Sequence, residues 1–435
     1  MGRMESDTPV TAAIHAARWI REAAVDDDHG HHWLANPDPG GRSANAGHSA
    51  TLYSGAAGIV LFHLELAAAT GDQSYLDEAL AGADHLVTVS GTITDPTFYH
   101  GLMGLVFALT ESYWATGDAT HQVAAERIAE RVLASQRPSR EGLTWTGDVS
   151  QRGDGGIALG LLHIAGMLGR DDFEEVAIMT GRTIAGQVVP GHQFGGEGGD
   201  LPVDAVTPGF LSGTAGSGFL MARLYGVTGD GMFLAAARRA ADFVRMVSSV
   251  SDKCALVPHH VPHARALNYL GFCSGSAGVA RLFHELYRVT GDPGDLDWVE
   301  RLARGVINSG VPERRSEGYW NVACQCCGAA GLVEFFVGLW AATGTSEYLD
   351  VATELGDDLI ERATRDDGRG MRWYQAYRRL RPHEITADTG YMVGAAGVGA
   401  ALLHLAAARD GRDARRVILL PDNPFPAIPV PADSL

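Results

Sequence analysis

Two hydrophobic patterns alternate along the chain. The first is apolar on most faces: VARLFHELYRVTGD and VEFFVGLWAATGT offer few positions that a helix would turn to water. A helix apolar nearly all round is a buried helix. The second pattern is amphipathic at helical spacing, with one charged face. It is seen in SYLDEALAGADHLVTV (Ser74 to Val89), QVAAERIAERVLASQ (Gln122 onward), MFLAAARRAADFVRMV (Met232 to Val247) and YLDVATELGDDLIERA (Tyr348 to Ala363). VTAAIHAARWIREAA, Val10 to Ala24, is another. Such helices lay one side on a core and expose the other.

A small signature fixes the phase of the alternation. Two glycines three apart, usually followed by an aliphatic residue, recur seven times: SGAAGI at Gly55, HGLMGL at Gly101, RGDGGI at Gly153, SGTAGS at Gly213, SGSAGV at Gly275, CGAAGL at Gly328 and VGAAGV at Gly394. The intervals of 46 to 66 residues are those of helical repeats. Thirteen residues after each second glycine stands a turn, TGD at Gly71, Gly117, Gly229 and Gly291, LGR at Gly169 and TGT at Gly344, with Asp410 in the seventh. Each repeat therefore predicts a buried helix of roughly 11 to 13 residues closed by a glycine cap. About seven buried and seven half-buried helices predict an all-α fold, an α/α toroid with a double ring of helices. One closed ring makes residues 1–435 a single domain, with an outer helix and a loop in 1–50 and a proline-rich, extended tail in 416–435.

Composition adds exclusions. The chain is 46% hydrophobic and 20% charged, and its formal net charge of −18 disfavours nucleic acid and anionic lipid as partners. No apolar run reaches about 18 residues, so no membrane span is expected. No basic N-terminus precedes an apolar run, so a cytoplasmic protein is expected. Thiols stay reduced there, and clustered cysteines point to metal or chemistry rather than disulfides.

Three of the five cysteines stand together in CQCCGAAG, Cys324 to Gly331. The repeat register gives them meaning. If the buried helices radiate alike, the two residues before each glycine pair share one rim of the central cavity. They are Tyr53-Ser54, Tyr99-His100, Gln151-Arg152, Leu211-Ser212, Cys273-Ser274, Cys326-Cys327 and Met392-Val393. Cys273, Cys326 and Cys327 thus converge from adjacent repeats, which suits tetrahedral Zn²⁺ with soft ligands and one open position. Cys254 and Cys324 lie outside the register and read as buried small hydrophobes. A glycan-processing barrel would need paired carboxylates facing the cavity, and the rim offers none.

With seven glycine-pair helices and these cysteine positions, nearly the whole chain resembles the lanthionine synthetase C family of lanthipeptide cyclases and their relatives. The resemblance implies an α,α-toroid with zinc at one end. It implies a cysteine thiol of a dehydrated precursor peptide adding to dehydroalanine or dehydrobutyrine to close a thioether ring. The family's lone cysteine matches Cys273, and its Cys-His-Gly matches Cys326-Cys327-Gly328, with Cys327 in the histidine's place.

Other family positions differ. A histidine before the glycine of repeat four is Ser212 here; an arginine four residues before the first zinc cysteine is Tyr269; a tyrosine after that cysteine is Ser274. The family aspartate before repeat three matches Asp148 only after a one-residue shift. His100 and Arg152 hold rim places in repeats two and three and are candidate acid/base groups beside Asp148 and Ser212. His259, His260 and His263 in PHHVPH are candidates for an acid or a lid, against a solvated loop. Asp148 and Asp154 also read as turn or capping residues. DDDHGHHW, Asp26 to Trp33, reads as an exposed segment flanking the way into the barrel, and GHQFGGEGGD, Gly191 to Asp200, as an insertion. No dehydratase or kinase domain fits in the remaining length, so a separate dehydratase or kinase/lyase is the expected partner. The alternative is a catalytically impaired member of the same fold serving as peptide-binding or scaffold component.

Overall fold

A computed structural model describes residues 7–43, 47, 49–140, 142–188, 201–202, 204–312, 317–376, 378–410 and 417–428. Among them are fourteen helices. The charge-faced set is α1 (Pro9–Arg21), α3 (Gln73–Val89), α5 (Ala119–Ala134), α7 (Asp171–Ala185), α9 (Gly231–Val247), α11 (Pro293–Asn308) and α13 (Ser346–Arg362). The apolar set is α2 (Ala56–Thr70), α4 (Leu102–Thr116), α6 (Asp154–Leu168), α8 (Thr214–Thr228), α10 (Ser276–Thr290), α12 (Ala329–Thr343) and α14 (Ala395–Asp410). Each apolar helix packs on the next, and α14 packs on α2, which closes an inner ring. Each charge-faced helix covers the apolar helix before it, and α1 covers α14, so the N-terminal helix completes the outer ring. The α/α toroid expected from the pattern is the observed architecture. The insertion at 191–200 lies outside the described residues.

The turn motif does three jobs. The Thr70 hydroxyl donates to the Leu66 carbonyl at 2.7 Å; Gly71 takes the left-handed conformation at φ 72°; Asp72 accepts the Ser74 N–H at 2.9 Å and caps α3. The same three roles recur at Thr116-Gly117-Asp118, Thr228-Gly229-Asp230 and Thr290-Gly291-Asp292. A capped start of this kind is worth about 1 kcal/mol.

The glycine pairs exist for close approach. A Cβ on Gly278 would overlap the carbonyl oxygen of Phe272, and one on Gly397 that of Tyr391. The inner helices run 15 or 16 residues rather than 11 to 13, because they begin directly after the first glycine of each pair. Their burial is the main stabilising term: on α4, Leu105, Val106, Phe107 and Leu109 have no exposed surface, roughly 1.5–3 kcal/mol each.

The tail does more than extend. Residues 417–428 lie inside the inner ring and touch five repeats. The Ile418 N–H donates to Glu65 on α2 at 2.6 Å. Asp422 accepts from Arg281 on α10 at 2.7 Å and from the Tyr99 hydroxyl ahead of α4. The Asn423 carbonyl accepts from Arg223 on α8 at 3.0 Å. Phe425 packs on Gly338 and Phe335 of α12 and on His284 of α10, its ring 4.7 Å from the histidine's. The polar positions of α10, which the sequence pattern made part of an apolar helix, thus face the lumen and meet the tail. Asp422 is buried, which pushes its carboxyl up, and the Arg281 guanidinium opposes that. A small cavity lined by Phe272, Arg281, Gln325, Glu334 and Met392 remains between tail and rim.

The connections carry short strands of two to six residues. Asp26–Trp33 belongs to one such hairpin (Ala24–Asp27 with Gly30–Trp33); Asp26 to Gly30 are exposed as expected, while the second strand lies on α3. His32 stacks on His85 at 4.6 Å, and Trp33 is buried against His63. No helix among the described residues is long and apolar enough to cross a membrane.

Candidate metal centre

The rim is knitted by its own backbone. The Tyr53 N–H donates to the Tyr99 carbonyl, Met392 to Tyr53, Cys326 to Met392, Cys273 to Cys326, Leu211 to Cys273 and Arg152 to Leu211, all between 2.8 and 3.1 Å. These are the rim residues singled out by the register, and each bond joins neighbouring repeats. The residues before each glycine pair therefore stand in a circle at one end of the barrel.

Within that circle the thiols of Cys273, Cys326 and Cys327 meet. Their sulfurs lie within 4.8 Å of one another, Cys273 to Cys327 at 3.1 Å and Cys327 to Cys326 at 3.6 Å. Ligands at tetrahedral zinc with bonds of about 2.3 Å sit about 3.8 Å apart, so the three sulfurs fit one ion with little movement. All three are buried, the most open at 8%. Among the described residues this is the one cluster of three metal-binding groups.

The electrostatics argue the same way. Cys326 and Cys327 donate to Cys273 and, with a further hydrogen bond from Ser274, hold its thiol well below the usual range. The hydrogen bond to that sulfur and burial push Cys326 and Cys327 well above it. One proton leaves readily and the next two do not, because like charges crowd in a low-dielectric site. A cation is what allows all three to ionise.

The Tyr53 hydroxyl donates to the Cys326 sulfur at 3.0 Å. The repeat register placed Tyr53 on the rim but gave no reason to choose it. Outer partners of this kind tune metal affinity by 10- to 100-fold. Tyr53→Phe is therefore expected to weaken zinc binding about 10- to 100-fold with the fold intact, read by competition with a chromogenic chelator. Unchanged affinity would remove Tyr53 from the site. Cys324 is fully buried and stands outside the cluster. Cys254 is remote and accepts from Asn308 at 3.0 Å.

The remaining candidates distribute unevenly. His100 is half-buried with its ring 4.7 Å from that of Tyr53, one side chain from Cys326. Arg152 is on the backbone circle, and Ser212 is buried beside Leu211, which bonds to Cys273. Asp148 accepts the Ser150 N–H at 2.9 Å in the turn before α6, and the buried Asp154 gathers the Trp145 and Thr146 N–H groups. His259 and His260 are not on a solvated loop. They lie on the strand Pro258–His260, which pairs with Ala264–Tyr269, and burial lowers His259 to about 4. His263 is outside, bonded to Asp204 at 2.9 Å.

Comparison with known proteins agrees on the fold. A family model described as "Lanthionine synthetase C-like protein" matches residues 48–412. Among solved structures, nisin cyclase superposes with a TM-score of 0.61 at 14% identity, covering 85% of this chain and 90% of that one. The Lin0763 protein from Listeria innocua gives 0.50 at 14% identity over 94% and 100%. An α-1,6-mannanase from Salegentibacter sp. HEL1_6 reaches 0.48 at 12% identity over 93% and 99%, a level that carries no argument. Among curated proteins none matches. With a family model spanning most of its length, the chain belongs to the lanthionine synthetase C-like family.

Proposed function

We propose that the protein is a stand-alone cyclase. It adds cysteine thiols of a dehydrated precursor peptide to dehydroalanine or dehydrobutyrine, forming (methyl)lanthionine rings. The observation that carries this reading is the convergence of Cys273, Cys326 and Cys327 at the mouth of the ring. Zinc held there would lower the pKa of a peptide thiol enough to deprotonate it at neutral pH.

The chain's own residues supply the rest. Three ionised protein thiols favour a strongly nucleophilic site, since together they outweigh the charge of one divalent ion. The Tyr53 hydroxyl draws part of that charge at Cys326. The tail fills the lumen below, so the peptide approaches from the rim. The proton leaving the thiol must return to the peptide α-carbon, and His100, Arg152, Ser212 and Asp148 are the rim and turn residues assigned to that region. Dehydration falls to a separate dehydratase or kinase/lyase, and the cytoplasm is the compartment that keeps the thiols reduced.

The test uses purified, zinc-loaded protein and a peptide bearing one dehydroalanine and one cysteine. The expected result is loss of alkylatable thiol at unchanged peptide mass. Tight peptide binding with no thiol loss above the uncatalysed rate would favour the scaffold alternative and end the cyclase reading.

A further inference from the structure

The metal centre asks something specific of its backbone. Cys326 and Cys327 are adjacent, yet both sulfurs meet Cys273 in one cluster. Along an extended strand neighbouring side chains point to opposite faces. Two neighbours reach one ion only where the backbone turns, and Gln325 to Cys327 are that turn. The turn is pinned where it enters α12: the Ala329 N–H donates to the Val322 carbonyl at 2.8 Å and the Ala330 N–H to the Ala323 carbonyl at 3.1 Å. On the rim side the Cys326 N–H donates to the Met392 carbonyl at 2.9 Å. Two N–H groups remain, those of Ala323 and Cys324, where the chain runs into the turn.

One side chain takes both. The Gln375 Oε1 accepts the Ala323 N–H at 2.9 Å and the Cys324 N–H at 3.2 Å. Its Nε2 donates to the Val393 carbonyl at 2.7 Å. Met392 and Val393 are the rim pair of repeat seven. The amide therefore ties the thiol turn to the same neighbour that the Cys326 N–H reaches. Gln375 is buried, so water has little room to take over these bonds.

The clamp is itself held. Gln375 pairs with Thr386, and Ala376 with Ile385, in a short hairpin between α13 and α14. Two residues earlier, the buried Trp373 donates its Nε1 to the Leu359 carbonyl of α13 at 2.7 Å. Arg372 binds Asp367 at 2.6 Å, and its backbone bridges to Thr364. A group can orient metal ligands only as far as its own position is fixed by packing and hydrogen bonds, and here it is fixed from both directions.

We propose that Gln375 is the positioning residue of the metal centre, holding residues 323–327 in the conformation that brings two adjacent thiols to one ion. The proposal rests on the reading of Cys273, Cys326 and Cys327 as zinc ligands and not on ring closure. Gln375 offers no atom to the ion; it acts through the backbone. Without it two N–H groups are orphaned in a buried turn, a state that proteins avoid by shifting the backbone to other partners. Such a shift turns one of the two neighbouring sulfurs out of the cluster.

The experiment uses Co²⁺ as probe, since it fills tetrahedral zinc sites and its absorption reports thiolate ligands. Cobalt titration is joined by zinc competition with a chromogenic chelator and by thermal unfolding. Gln375→Met keeps the volume and removes all three hydrogen bonds. It is expected to weaken zinc binding about 10- to 100-fold and to diminish the thiolate–cobalt band at saturating cobalt. Gln375→Glu keeps an oxygen for the two N–H groups and is expected to regain most of both. Gln151→Met is the control. Gln151 is buried on the same rim three repeats away and donates to the Gly216 carbonyl at 2.8 Å. Its loss is expected to lower the unfolding temperature and leave zinc and the band as they were. Wild-type affinity and spectrum in Gln375→Met overturn this assignment alone. An equal loss in Gln151→Met overturns it too, as does a Gln375→Glu no better than Gln375→Met. If Gln375→Met does not fold, Gln375→Asn, which draws the amide back by one methylene, carries the same expectations. A wild type without a thiolate–cobalt band, or with one that Cys273→Ala keeps in full, overturns the three-thiol metal reading, and the assignment with it.

Discussion

Cys273→Ala is expected to lower bound zinc from about one ion per chain to below about 0.1 and to slow ring closure by at least about 10³-fold. The rate estimate has two parts. A free thiol with pKa about 8.5 is only a few per cent ionised at pH 7, so losing the means to ionise it costs about 30-fold. Losing the fixed position of the nucleophile accounts for the rest. Cys273 is the right residue to remove because it bridges the site: its sulfur is 3.1 Å from Cys327, and its N–H bonds to the Cys326 carbonyl. Cys324→Ala is the control. That residue is as buried as the others but stands outside the triad, and zinc is expected to stay. Metal analysis after gel filtration against a weak chelator reads both. Full zinc occupancy in Cys273→Ala would sink the three-sulfur site whatever the activity.

The second large effect concerns stability. Arg281→Met is expected to cost about 3–5 kcal/mol, because it strands the Asp422 carboxylate in the lumen. Arg281 and Asp422 are 5% and 2% exposed, so solvent does little to screen the loss. Arg281→Met combined with Asp422→Asn is expected to recover most of it, since replacing both members of a buried pair by neutral groups is often close to neutral. Urea denaturation followed by circular dichroism measures all three. A cost below about 1 kcal/mol for Arg281→Met would mean that the pair does not hold the tail in place.

Much of this molecule is written in local sequence. The glycine pair and the turn thirteen residues later are short-range signals. Their repetition fixes the ring, the rim and the phase of every rim residue. That is why Cys273 and Cys326, fifty-three positions apart, can be placed side by side without a structure. What local sequence could not convey depends on contacts with no period. Tyr53 is one of several polar rim residues, and only closure of the ring by α14 on α2 brings it to Cys326. The histidines of PHHVPH are ordered by pairing with a strand whose own partner lies some fifty residues downstream. The tail's prolines suggested extension, but its partners Glu65, Tyr99, Arg223 and Arg281 come from four different repeats, and no pairwise pattern connects them. Inner helices that look apolar in sequence can hide such charges, because a lumen filled by the chain itself counts as core.

With Asp422 and Phe425 lodged in its lumen, the barrel is a cup rather than a tube. A peptide cannot thread through it. On the cyclase reading, a loop of the peptide would be laid across the lip and lifted off by the route it came. For a substrate with several rings, such traffic would be stepwise: each closure would end with the peptide being repositioned, and partly ringed species would pass back into solution between steps.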